Sequence, residues 1–428
     1  MSDACAEPAG GGPGLLSLAT SLPGVEAALH AITTFDIGPV TEMLARAAYL
    51  PLLFQGPSRE AGGLYELDAE PRRLGLAVVP DPARGGLAAD NRVGRPAATL
   101  RCRWRLVPED YVGHPGELPP MPTIALDTRV SQRIEMVDWE LRFKDGVSGY
   151  RAYGTGRTLP GTAPGPAALI TGAALVLEVL EGFGELAGLA GTVVASGGLR
   201  ANAQMALAVI TRFMDPAGGP LIQPPATRPA GGALAIAAAG GVGVTCMGFL
   251  GEIDAAHPVT LRLSLTEGVL GSNVFEQLRP AALGFDQGPG GALHAGATAG
   301  AIAGTVTARL SFDPLALCPM SPIQTRCGVF EFHDQAGASI GSVAANMTEG
   351  RAFRTGVPGK LLPVFRFAGF GPITGGTGEF AGASGVMTMN SAISVQPRTL
   401  ANFYLLCLDD LTGRYRVAAT RGAPGPPR

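Results

Sequence analysis

Lysine is nearly absent from this chain: Lys144 and Lys360 are the only two among 428 residues. Both stand beside glycine, in Lys144-Asp145-Gly146 and Gly359-Lys360, a turn setting that keeps a side chain wet. Schiff-base catalysis needs a desolvated lysine, so that chemistry drops out. Histidine is scarce as well: His30, His114, His257, His294 and His333 stand far apart, with no H-x-H or H-x-x-x-H. The six cysteines (Cys5, Cys102, Cys246, Cys318, Cys327, Cys407) contain no C-x-x-C. Neither set has zinc spacing, so no metal and no other cofactor is expected. A G-x-S-x-G elbow and a G-x-x-x-x-G-K-[ST] loop are both missing, which removes the usual signatures of a serine nucleophile and of a phosphate cradle. Only 16% of residues are charged and the formal net charge is −3, so nothing electrostatic calls for nucleic acid or an acidic membrane as partner.

The first residues, Met1-Ser2-Asp3-Ala4-Cys5-Ala6-Glu7, lack the basic-then-apolar order of a secretory signal. A cytoplasmic protein with reduced thiols is the expectation. The uncharged stretch Gly231 to Gly251 comes nearest to a membrane span. It is mostly Ala and Gly, so its insertion energy is weak, and it reads as a buried strand with no membrane span expected.

What the chain has in abundance is glycine, 62 residues, and proline, 36. Both suit turns and strand ends better than helix interiors, which points to an all-β chain. A hydrophobic fraction of 46% excludes general disorder. Ten residues also occur twice. Gly182 to Gly191 reads G-F-G-E-L-A-G-L-A-G, and Gly376 to Gly385, 194 residues on, reads G-T-G-E-F-A-G-A-S-G. Trp139-Glu140-Leu141-Arg142-Phe143 aligns with Phe330-Glu331-Phe332-His333-Asp334 at an offset of 191. Two matches in one order at nearly one offset predict an internal duplication.

The chain divides accordingly. Residues 1–57 form a tail and a helical segment, in which Pro39 opens a helix through Met43, Leu44, Ala47 and Leu50 that stops near Pro51. Residues 58–215 form the first repeat, 216–232 a Pro/Gly-rich linker, 233–418 the second repeat and 419–428 a flexible tail. Leu100 to Leu106 alternates Arg101, Arg103 and Arg105 with Cys102, Trp104 and Leu106, the period of a two-faced strand. Ile134 to Phe143 and Val147 to Thr158 form a hairpin about Lys144-Asp145-Gly146.

The second copy of the glycine segment, within Gly375-Gly376-Thr377-Gly378-Glu379-Phe380-Ala381-Gly382-Ala383-Ser384-Gly385, resembles the G-G-T-G-x-[FY]-x-x-A-x-G segment of the allene oxide cyclase and dirigent families. The likeness covers about twenty residues here and fewer in the first copy, where Phe183 replaces Thr and Leu186 replaces the aromatic. It implies two tandem antiparallel β-barrels of the calycin type, with the segment as a tight turn entering a late strand. The rival reading, a dinucleotide loop, needs a helix after the glycines, whereas Gly385-Val386-Met387-Thr388-Met389-Asn390 reads as strand.

Chemistry is sparser. Strict alternation puts Ile134, Met136, Asp138, Glu140 and Arg142 on one strand face, and Val137, Trp139, Leu141 and Phe143 on the other. The second repeat offers Glu331 and His333 opposite Phe330 and Phe332. Turned inward, Asp138, Glu140, Arg142, Glu331 and His333 are the candidate acid–base groups. Arg103 would supply an anion-binding rim, with Trp139, Tyr153 and Phe332 as further substrate contacts. By the family resemblance, Asn390 matches a polar position that orients a hydrophobic substrate. Turned outward, the same charges merely wet a packed core. The expected function is a cofactor-independent isomerase or cyclase acting on an apolar polyketide-, lipid- or terpenoid-like molecule in a barrel cavity. The alternatives are a non-catalytic hydrophobic-ligand binder and a structural protein whose barrels are filled by side chains. Two fused copies would pack as a pseudo-dimer, with further homo-oligomerisation left open.

Overall fold

A computed structural model describes residues 34–37, 47–73, 77–80, 87–90, 96–109, 124–160, 170–214, 234–239, 244–251, 259–266, 269–280, 286–287, 293–294, 301–302, 304–312, 325–334, 338–355, 364–395 and 398–409. Nearly all of these are strand, and no α-helix occurs among them. The first eight principal strands are β1 (Ala47–Pro57), β2 (Leu64–Ala69), β3 (Ala98–Val107), β4 (Arg133–Phe143), β5 (Gly149–Pro160), β6 (Ile170–Phe183), β7 (Ala190–Arg200) and β8 (Gln204–Met214). They pair antiparallel in the order β2-β3-β4-β5-β6-β7-β8-β1. The two ends of this sheet approach each other, with the Leu67 side chain of β2 against Gly56 of β1.

The second eight are β9 (Val244–Gly251), β10 (Val269–Pro280), β11 (Gly304–Phe312), β12 (Thr325–Asp334), β13 (Ser339–Met347), β14 (Val364–Gly378), β15 (Gly385–Val395) and β16 (Arg398–Asp409). Their order is β10-β11-β12-β13-β14-β15-β16-β9, and β9 meets β10 again through Phe249↔Pro280 and Leu250↔Arg279. Each strand takes the place of the strand eight before it. Both sheets curl, one into a nearly closed barrel and the other into a half-barrel, with the same strand order.

The glycine corners are equivalent in detail. Gly184 and Gly378 have φ of 61° and 58°, and Gly188 and Gly382 have 79° and 76°. Leu186 and Phe380, the residues between them, are both 1% exposed. The same turn bonds recur, Ala187 N to Gly184 O and Ala381 N to Gly378 O. So does a bulge: pairing steps from Glu181 to Val179 opposite Arg151 and Ala152, and from Gly375 to Ile373 opposite Ala344 and Ala345. The hairpins are equivalent at another register than the sequence indicated. Leu141 lies opposite Tyr150, itself opposite Gly182; Phe330 lies opposite Val343, itself opposite Gly376. Leu141 therefore matches Phe330, and Arg142, not Glu140, matches Glu331.

Two further expectations give way. The helix through Ala47 and Leu50 is strand β1, paired with β8 over its whole length. Leu50, Leu52 and Phe54 alternate into the core, and that period-two burial overrides the helical spacing; residues 38–46 lie outside the described ones. Thr34–Ile37 is also strand, and it pairs with Val259–Thr266 at the edge of the second sheet. Cys407 is disulfide-bonded rather than reduced. Its register partner is Cys246, a juxtaposition that only β9–β16 pairing creates. The stretch expected as a buried strand is strand over Leu234–Ala239 and Val244–Gly251. Among the described residues no helix is long and apolar enough to cross a membrane.

The two sheets meet back to back across the outer faces of β6, β7, β14 and β15. Asn390 Nδ2 donates to Thr192 O at 2.8 Å and to Ile210 O at 3.1 Å. Arg366 Nη1 donates to Gly191 O at 2.7 Å and to Thr192 Oγ1 at 3.0 Å, while its Nη2 lies 3.3 Å from Glu178. Burial holds the Arg366 guanidinium below its usual range, against the pull of Glu178. Contacts come in related pairs. Arg366 reaches Thr192, and Gly172, the match of Arg366, faces Val386, the match of Thr192. The short strand Glu349–Thr355 continues the relation: Arg157 bonds Glu349, and Arg351 Nη2 donates to Thr155 Oγ1 at 2.8 Å. Arg157 and Thr155 lie opposite Ala174 and Val176, as Arg351 and Glu349 lie opposite Ala368 and Phe370. Contacts between matched strand positions thus recur on both sides of the seam.

A Cβ on Gly376 would sit 2.3 Å from Phe380 O, whereas one on Gly382 meets nothing within 4 Å. Gly376→Ala is therefore expected to cost about 2–3 kcal/mol through overpacking. Gly382→Ala should cost about 1–2 kcal/mol, from its left-handed φ alone. Denaturant titration of both variants checks the order.

Candidate functional site

The inside of the first sheet is filled by its own side chains. Trp104, Trp139, Tyr150, Phe54 and Phe213 are all at most 2% exposed. Phe54 and Trp139 meet edge to face at 5.8 Å, and Tyr150 and Phe213 at 5.4 Å. The Tyr150 hydroxyl lies 2.7 Å from Thr211 Oγ1, and burial pushes its phenol up to about 12 despite that hydrogen bond. In the second sheet Phe330 packs on Tyr404 at 5.3 Å and Phe332 on Phe380 at 4.5 Å. Trp139 and Phe332, expected to contact substrate, are thus core residues, each packed on an aromatic ring of its own sheet.

The candidate acid–base groups turn outward. Asp138 Oδ2 accepts from Arg103 at 3.1 Å, which ties the expected anion-binding arginine to its own carboxylate. Glu140 accepts from Arg142 and, at 2.9 Å, from Arg151, while Arg142 also lies over the Phe183 ring at 4.8 Å. Burial pushes the Glu140 carboxyl up, but the hydrogen bonds from Arg142 and Arg151 outweigh it and leave it below the ordinary value of 4.5. Glu140, Arg142, Asp68, Glu70, Thr99 and Arg101 line an open surface groove of about 510 Å³. In the second sheet His333 Nε2 stands 3.7 Å from Glu331 Oε1, both partly exposed. Asn390 lies in the seam and spends its amide on two carbonyls of the other sheet. No group of His, Cys, Asp and Glu that could hold a metal occurs among the described residues.

Alternation fails in the middle of β4. Pairing steps between Arg103 and Trp104 on β3 and between Ala152 and Gly154 on β5, so Met136 and Trp139 both face the core although three residues apart. Upstream of this bulge the faces swap. Ile134 and Met136, expected beside Glu140, are inside, and Glu135, absent from both expected faces, is on the polar face. There Arg105 Nε donates to Glu135 Oε2 at 2.6 Å and the Tyr153 hydroxyl to Oε1 at 2.9 Å. The Arg105 and Glu135 side chains are only 4% and 1% exposed. Sequence reasoning missed Glu135 for want of the bulge. The third arginine of the Arg101-Arg103-Arg105 series, which needs a carboxylate across the hairpin, was the available signal.

This cluster holds β3, β4 and β5 together by a charge pair that water does not screen. Glu135→Gln leaves Arg105 buried without its counter-charge and is expected to cost about 3–5 kcal/mol. Glu140→Gln, in a surface network, should cost about 1 kcal/mol or less. The Glu140 contribution depends on a lowered carboxyl, so it is present above the ordinary value of 4.5 and fades as pH falls through the folded one. Wild-type and Glu140→Gln stabilities should therefore converge in acid, which chemical denaturation across pH tests.

Comparison of the chain with family models, with curated proteins and with solved structures returns no match.

Proposed function

We propose that the protein is a non-catalytic structural protein: two tandem calycin-type barrels, as the allene oxide cyclase and dirigent resemblance implies, filled by their own side chains and acting through their outer surfaces. The observation that carries this reading is the division of side chains on β4. Trp139, Leu141 and Phe143 are buried in the core, whereas Glu140 and Arg142 sit on the outer face in ion pairs. An isomerase working inside a barrel needs the reverse, with ionisable groups inward beside an open volume.

A second reading rests on the groove beside Glu140. Its lining carries Asp68, Glu70, Arg101, Glu140 and Arg142. A small polar molecule fits such a lining better than an apolar one, so an isomerase placed there would act on a charged substrate outside the barrel.

Trp104 and Trp139 are the chain's only tryptophans and both lie in the first core. Their fluorescence reports on anything that enters. Titration with a fatty acid, a flat isoprenoid and an anilinonaphthalene dye should give no saturable change in tryptophan emission. Stoichiometric quenching by any of the three would overturn the filled-barrel reading and restore the hydrophobic-ligand alternative.

A further inference from the structure

One of the seam's asymmetries leaves an arginine facing a neutral partner. Arg157 and Arg351 are matched residues, as are Thr155 and Glu349. In one half of the seam Arg157 bonds the Glu349 carboxylate and also that of Glu109. In the other half Arg351 meets Thr155, whose hydroxyl accepts its Nη2 at 2.8 Å but carries no charge. Arg351 has no carboxylate oxygen within 4 Å among the described residues, and neither does Arg133, which donates Nη1 to the Glu109 backbone carbonyl at 2.8 Å.

These two arginines share one neighbourhood. Arg133 lies opposite Arg157 on β4 and β5, and Thr155 lies opposite Glu135 beside it. Burial first, and then the like charge of Arg133, hold the Arg351 guanidinium below its usual range, against the pull of Tyr153 and Glu178. Arg351 nonetheless keeps an exposed face. The surroundings are otherwise neutralised: Arg105 by Glu135, Arg366 by Glu178, Arg157 by Glu109 and Glu349. What remains is a pair of guanidinium groups with spare donors, at an accessible end of the seam. Planar guanidinium forks match the oxygens of phosphate and carboxylate, and a pair of neighbouring like charges is stabilised by an anion that bridges them.

We propose that Arg133, Arg351 and the Thr155 hydroxyl form a binding site for a compact oxyanion, the phosphate or carboxylate group of a small ligand, at the seam between the two sheets. The site exists because the first copy carries threonine where the second carries glutamate. It stands apart from the barrel interiors and from the groove beside Glu140.

The matched glutamate supplies a test that preserves the fold. Thr155→Glu should give Arg351 the internal carboxylate that Glu349 gives Arg157. Full-length wild-type protein, Thr155→Glu and Arg351→Gln would be titrated with inorganic phosphate and with acetate, against chloride at equal ionic strength, by thermal unfolding and calorimetry. The expected result is that phosphate or acetate raises the wild-type midpoint beyond chloride, and that both variants bind at least tenfold more weakly. Stronger action of phosphate marks a phosphate ligand; stronger action of acetate marks a carboxylate. If neither anion exceeds chloride on the wild type, or if Thr155→Glu keeps the wild-type affinity, the site does not exist.

Discussion

Two sheets that each curl around a core still have an outer face to cover, and here each covers the other's. The strands that do so, β6 and β7 against β14 and β15, are buried on both sides, and that constraint sets the composition of the seam. Side chains there are small, or donate hydrogen bonds across to the other sheet. Gly172 is the small solution: a Cβ in its place would stand 2.7 Å from Val386 Cγ2. Asn390 and Arg366 are the polar one, with bonds to backbone carbonyls of the opposite sheet that water cannot reach. Removing such a group leaves its partner carbonyl buried, at about 1–3 kcal/mol each.

The glycine corners have a different dependence, being set by local backbone rather than by the seam. Positive φ at Gly184 and Gly378, with Leu186 and Phe380 turned into the core, closes the end of each sheet. That is why this segment survives in both copies as sequence, and why the duplication could be read from it. Nothing comparable constrains the hairpins. The first hairpin is shorter than its counterpart between matched positions, Leu141 to Tyr150 against Phe330 to Val343, so an alignment by residue type slipped two positions. A two-residue slip keeps the face, and the outward or inward sense of each residue type was still recoverable up to the bulge.

What the sequence did not disclose falls into three physical kinds. The bulge at Met136 and Trp139 is a tertiary accommodation without a local signal, and it alone hid Glu135. The strand Ala47–Pro57 carries helical and period-two patterns together, and only pairing with Gln204–Met214 decides between them. Cys246 and Cys407 become neighbours through register, which spacing along the chain cannot express. Asn390 is the instructive case. Its strand was foreseen, yet the face that it occupies looks onto the first copy and not into a barrel, so a family likeness in one corner could not say which way it points.

Fusion also changes what substitution can do at a two-fold seam. In a homodimer every residue near the axis appears twice, so a change that suits one side is imposed on the other. Within one chain the two sides vary separately. An arginine at both 172 and 366 would bring two cations to one buried seam; with Gly172 the single Arg366 keeps Gly191, Thr192 and Glu178 to itself. Ser196 and Asn390 have diverged in the same manner, the first lying 3.2 Å from Cys407 Sγ and the second reaching two carbonyls. Such paired inequalities are readable only once the strands are matched. They mark where a duplicated protein departs from its own symmetry, and a charge left over at such a place has no structural duty to explain it.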